Sequence, residues 1–185
     1  YLTIFSMEKA EEAAAAARTR GVTQKILIRI HAEGDRFYKG HERGFPAAAA
    51  VDVARKIAAT EGLEFAGITT FPALLFSEAD KKLTGTHNLS TLGKTAEALR
   101  KAGFEALEIN APGTTSSEVI GALAGAGATQ VEPGHALTGT TPLHAVKDLP
   151  EAPAFVYLSE VAHVYNGLPY CFGGEPLVCL LHPPD

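Results

Sequence analysis

The feature of this sequence that most limits its fold is a repeated unit, a short apolar run followed by an alanine-rich run that usually ends at a glycine. Tyr1–Phe5 (YLTIF), Lys25–His31 (KILIRIH), Glu64–Thr70 (EFAGITT), Phe104–Ile109 and Ala128–Val131 carry the strand pattern. Between them, Met7–Arg20, Pro46 to about Glu61, Leu89–Ala102 and Thr115 to about Ala126 read as helices. Ser6 is a good N-cap for the first, with Glu8, Glu11 and Glu12 as a solvated acidic face, and Gly21, Gly103 and Gly127 are stops. The strands are short and lack polar alternation, as expected of parallel strands buried on both faces. Five strands alternating with four helices give an α/β fold of βα units.

The polar residues are one-sided. Ser6, His31 to Asp35, Thr69-Thr70, Asn110 to Ser117 and Glu132 to His135 all follow the C-terminal ends of strands. That is the site-bearing edge of a (β/α)8 TIM barrel or of an open doubly wound sheet. No Gly-x-Gly-x-x-Gly follows the first strand, so a partial barrel of about five strands, four to eight, is the better reading. The segments Ala32–Pro46 and Phe71–Asn88 read as loops. After Pro150 the texture changes: Pro153–Glu160 (PAFVYLSE) reads as a strand with no helix behind it. The expected division is therefore 1–150 as partial barrel and 151–185 as the beginning of a β-rich C-terminal segment, with an atypical tail from Glu175. A chain that opens inside a strand, at Tyr1, reads as a fragment.

Composition excludes several classes. A net charge of −5 and a pI near 5.8 favour neither nucleic acid nor an anionic membrane. No apolar run is long enough to span a bilayer, and no signal peptide opens the chain. Cys171 and Cys179 form neither a disulfide framework nor a zinc motif, so a reducing cytoplasm is expected and no metal is assigned. Cys171, beside Tyr170 and Phe172, reads as a small buried hydrophobe.

The stretch Gln130–His144, QVEPGHALTGTTPLH, carries the chemistry. Glu132 ends the last strand, Pro133-Gly134 turn the backbone, and Gly134 leaves room for a ligand to approach main-chain N–H groups. His135, Thr138, Thr140 and Thr141 add donors. A carboxylate beside a nest of donors suits a ligand with a cationic end and a phosphate end, and pyridoxal phosphate (PLP) is such a ligand. A tight turn with Glu132 solvated accounts for the same residues, and the spacing leaves both readings open.

The segments GDRFYKGHERGF, GITTFPALLF, NAPGTTSS, EPGHALTGT, SEVAH and YCFGG, in this order, resemble the alanine racemase N-terminal-domain superfamily, fold type III of the PLP-dependent enzymes, and most of all its YhfX-like branch. The similarity runs to about Gly174, where the family continues with a third glycine and this chain has Glu175. The resemblance implies an enzyme acting at the α-carbon of an amino acid, first a racemase or epimerase. A decarboxylase, an aldolase-type lyase and a non-catalytic PLP carrier are the alternatives. It also implies a homodimer for the full-length protein. It places Glu132 against the pyridine nitrogen, and Gly134 and His135 at the phosphate. Asn110, Thr114, Thr115 and Ser116 complete the expected cofactor-binding residues, the last three, at a helix start, supplying a second half of the anion site. Phe71 stands where related enzymes stack a ring on the cofactor. The family's Schiff-base lysine lies on the first barrel strand. Lys9, Lys25, Lys39, Lys56, Lys81, Lys82, Lys94, Lys101 and Lys147 do not match it, so the fragment alone is expected to be inactive.

Other residues have two readings each. His31, Asp35 and Tyr38 line a substrate mouth or belong to a solvated loop. His163, in SEVAH, is an acid–base group or a strand-end histidine.

Overall fold

The computed structural model describes residues 1–41, 43–154, 156 and 158–172. Gly173-Gly174, Cys179 and the tail from Glu175 lie outside them. Strand β1 (Leu2–Ile4) leads into helix α1 (Met7–Arg20), where the Ser6 hydroxyl accepts from the Lys9 N–H as an N-cap should. Then come β2 (Gln24–His31), the two-residue β3 (Phe45–Pro46), a 3₁₀ turn (Ala47–Ala49) and α2 (Ala50–Ala58). Strand β4 (Leu63–Thr69) is followed by a hairpin, β5 (Leu74–Ser77) and β6 (Lys82–Gly85), and by α3 (His87–Lys101). The chain continues through β7 (Glu108–Asn110), α4 (Ser117–Gly125), the single turn α5 (Gly134–Leu137), β8 (Val161–Tyr165) and β9 (Leu168–Cys171).

The main sheet has the order β1-β2-β4-β7, every pair parallel, with β3 joining β2 in parallel at Ile30 and His31. Consecutive βα units laying parallel strands side by side form an arc of a (β/α) barrel, which is not closed. Side-chain alternation gives the arc two faces. On the outer face Ile4, Ile26, Ile28, Ile30, Ile68 and Ile109 pack against Ala10, Ala14, Ala50, Ala54, Ile57, Leu92, Ala96 and Leu99. Burying each of these isoleucines contributes roughly 1.5–3 kcal/mol, and the alanines let the helices lie close enough to reach them. On the other face stand Leu27, Arg29, Thr69 and Asn110, all buried. At Gly67 the register of β2 and β4 shifts, and a Cβ there would sit 1.9 Å from the Glu108 carbonyl oxygen. Only glycine lets β7 close on β4.

The structure corrects several expectations. The stretch Phe71–Asn88 is not a plain loop: it holds the antiparallel pair Leu74–Ser77 and Lys82–Gly85, whose turn is tied by Ser77 and Asp80. Ala128–Val131 is not a strand but a single parallel bridge, Asn110 with Gln130. The reason is local: the Ile109 N–H donates to the Thr129 side-chain hydroxyl instead of to a backbone carbonyl of that stretch. Strand β7 is accordingly shorter than Phe104–Ile109, with Phe104 packed edge-on against Phe65 at 5.1 Å. The described residues of Pro153–Glu160 form no strand; pairing starts at Val161, in the β8–β9 hairpin. Cys171 is exposed on β9, not buried. No helix among the described residues is long and apolar enough to cross a membrane.

Candidate cofactor site

Sheet register builds the site. Arg29 pairs with Thr69, Thr69 with Asn110, and Asn110 bridges Gln130, two residues before Glu132. These residues form one row across the C-terminal ends of the strands, on the face opposite the helix-packed isoleucines. A cavity of about 320 Å³ opens here, lined by Thr3, Phe5, Arg29, His41, Thr69, Thr70, Phe71, Pro112 and Glu132. A second hollow, along the edge of β1 and α1, has only the mutually paired Lys9 and Glu12 as charged groups.

Glu132 faces this cavity with one oxygen tied down. Asn110 Nδ2 donates to Glu132 Oε1 at 2.7 Å and to Thr69 Oγ1 at 3.1 Å. The cavity is also lined by Arg29, 6% exposed, whose Nη2 donates to the carbonyls of His41 (2.7 Å) and Phe71 (3.1 Å). Its guanidinium also lies over the rings of Phe5 and Phe37 at 5.5 and 6.0 Å, which stabilises a cation withdrawn from water. Arg29 thereby fastens two loops at the cavity wall. Phe71 meets Tyr38 at 5.4 Å and His41 at 5.7 Å between ring centres, giving the cavity an aromatic side. Burial pushes the Tyr38 phenol up from its ordinary range.

The loop that brings Tyr38 and His41 here is latched to α3. Asp35 Oδ2 accepts from the Ala32 N–H at 2.8 Å, and Asp35 Oδ1 accepts from Thr91 Oγ1 at 2.7 Å and pairs with His87 Nδ1 at 2.8 Å. Beside it Asn88 takes the Arg36 N–H on its oxygen and returns its own Nδ2 to the Arg36 carbonyl, both at 2.9 Å. Asp35 is thus a buried brace, while His31 packs edge-on against Phe37 at 6.2 Å.

The second half of the expected anion site is only partly open. Gly113 lies so close to β5 that a Cβ would stand 2.7 Å from the Leu74 nitrogen, and this seats Thr114 to Ser116 at the head of α4. Thr115 and Ser116 are buried, and Ser116 Oγ has no hydrogen-bond partner among the described residues. The next amide, Ser117 N–H, already donates to Glu151 Oε1 at 2.8 Å, and that bond holds the Glu151 carboxyl below its ordinary range. The terminus of α4 therefore accepts an anion, and one from this chain is there. In the other half, Gly134 has open space where a Cβ would be, and His135 is exposed, its Nδ1 3.4 Å from Thr140 Oγ1.

His163 is not among the cavity residues: it sits on β8, exposed and stacked on Tyr170 at 4.8 Å. Arg29, His41 and Thr70 join the cavity without having been singled out as site residues. The signal for Arg29 was a charge enclosed in the apolar run Ile26–Ile30 (ILIRI).

A carboxylate at the cavity, an aromatic wall, a buried hydroxyl without a partner and open backbone at Gly134 fit a flat, cationic, phosphorylated heterocycle. The family described as alanine racemase, N-terminal domain, matches residues 1–142, and the chain belongs to this family, among the fold type III PLP enzymes. Within it the chain lies in the YhfX-like branch: it is 40% identical over 173 residues to the uncharacterized protein YhfX of Escherichia coli (strain K12). That alignment covers 94% of this chain and 45% of YhfX, so the chain spans less than half of its relative. Alanine racemase from Corynebacterium glutamicum is similar in structure, with a TM-score of 0.56 and 21% identity over 83% of this chain and 40% of that one. Diaminopimelate decarboxylase from Helicobacter pylori, complexed with L-lysine, gives 0.54 and 18% over 76% and 41%. At these identities the likeness is one of fold.

Proposed function

We propose that this chain is the cofactor-binding part of a PLP-dependent enzyme that acts at the α-carbon of an amino acid, as a racemase or epimerase, in a homodimeric full-length protein. The observation that carries the proposal is Glu132, a carboxylate at the C-terminal edge of the parallel sheet, facing the cavity with Oε1 fixed by Asn110. When bound, PLP supplies an electron sink for negative charge developing at the α-carbon. The residues of this chain make that sink effective. Glu132 holds a proton on the ring nitrogen. Phe71, which lines the cavity, would offer the ring an apolar neighbour. Thr114, Thr115, Ser116 and the backbone at Gly134 and His135 would hold the phosphate, beside the Ser117 N–H that Glu151 takes up. The proposal does not depend on His163.

The test is made on the protein expressed from its complete reading frame. With PLP it is expected to turn yellow, and borohydride reduction should fix the cofactor covalently. Peptide mapping should place the adduct on a lysine other than Lys9, Lys25, Lys39, Lys56, Lys81, Lys82, Lys94, Lys101 or Lys147. A colourless protein, or an adduct on one of these lysines, contradicts the proposal. Exchange of the α-hydrogen without release of CO₂ is the outcome expected of a racemase; CO₂ release would make it a decarboxylase.

A further inference from the structure

We infer that Asn110 is a positioning residue for Glu132, setting the carboxylate so that its other oxygen meets the ring nitrogen; the inference rests on the PLP reading above. Three observations support it. First, Asn110 is buried, 4% exposed, and is not among the residues lining the cavity, whereas Glu132 is. It stands behind the carboxylate.

Second, the orientation of the amide is determined by its neighbours. Nδ2 donates to Glu132 Oε1 at 2.7 Å and to Thr69 Oγ1 at 3.1 Å. The Thr69 hydroxyl directs its own hydrogen to the Thr70 carbonyl at 3.3 Å, so toward Asn110 it can only accept. A flipped amide would set its oxygen against both a carboxylate and a hydroxyl lone pair. Third, Asn110 Oδ1 is buried with no hydrogen-bond partner among the described residues. An amide that leaves its acceptor unsatisfied in order to donate twice is held there by its acceptors, and the charged one is the stronger.

The consequence is specific. Glu132 is exposed and has a long side chain, which without a tether would sample several rotamers. Tying Oε1 leaves Oε2, which has no hydrogen bond among the described residues, to accept from a ligand. The tether is a neutral donor. It fixes the carboxylate without cancelling the negative charge needed to keep the ring nitrogen protonated; a lysine or arginine in its place would cancel that charge.

The test compares two probes by absorbance titration of the full-length apoprotein: PLP, and its analogue with the ring nitrogen replaced by C–H. Asn110→Ala is expected to weaken PLP about tenfold and leave the analogue within about twofold of the parent. Asn110→Asp has the same size but turns an acceptor toward Glu132. It should show the same selective loss, and it is the variant to read if Asn110→Ala does not fold. Adding Asn110→Ala to Glu132→Gln should bring no further loss, because Asn110 acts through Glu132. Equal weakening of both probes by the Asn110 variants, or no weakening of either, overturns the inference. If Glu132→Gln separates the two probes and the Asn110 variants do not, only the positioning role falls. If Glu132→Gln itself fails to separate them, the ring-nitrogen reading falls and takes this inference with it.

Discussion

Two glycines illustrate what single residues reveal here. Gly67→Ala would drive a methyl group into the Glu108 carbonyl, so β7 must move off β4, and urea unfolding should show a loss of about 3 kcal/mol or more. Gly134→Ala meets nothing within 4 Å and should change apoprotein stability by less than about 0.5 kcal/mol. If Gly134 lies against the phosphate, the same variant should weaken PLP binding, and unchanged affinity would remove it from the site. From the sequence, Gly134 stood out because it follows a carboxylate at an expected strand end, whereas Gly67 is one small residue inside the apolar run EFAGITT. What makes Gly67 necessary is the distance to a strand forty residues on, which no local pattern carries. Arg29 was hidden for a similar reason. Its partners, the His41 and Phe71 carbonyls, come from loops that sequence alone does not place.

Among the elements, α1 and the long strands β2 and β4 were legible because apolar runs, caps and glycine stops agree. The β5–β6 hairpin was not: LLFS and KLTG are four residues each, below the length at which period decides. The loop carrying Tyr38 was open to two readings, and Asp35 settles part of it as a brace. Asp35→Ala should cost about 3 kcal/mol, since it leaves three donors without an acceptor, and should speed amide exchange across residues 32–41. Unchanged exchange there would show that the latch does not hold the loop. The other end of the sheet responds to acid. Hydrogen bonds from Thr129 first and Tyr1 second hold the Glu108 carboxyl below its ordinary value. A carboxylate whose pKa is lowered by folding adds stability above its unfolded value, about 4.3, and that contribution is lost as pH falls through the lower folded value. Thr129→Val removes the main cause of the shift, so circular dichroism on acid titration should show unfolding at a higher pH than in the parent.

At the scale of the whole molecule, the parallel arc could be read from the alternation of elements, and the site edge from the crowding of polar residues at strand ends. Closure and assembly lie beyond what that pattern fixes. The central claim is that a carboxylate, Glu132, governs the electron demand of the bound cofactor, and one measurement addresses it directly. In the full-length protein, Glu132→Gln keeps the side chain's size and one hydrogen bond but removes the charge that retains a proton on the ring nitrogen. The α-hydrogen of a bound amino acid in deuterated water, followed by NMR or mass spectrometry, should then exchange roughly ten- to a hundredfold more slowly, while PLP remains bound with its absorbance. Exchange at the parent rate would make Glu132 a residue of the turn alone and contradict the account.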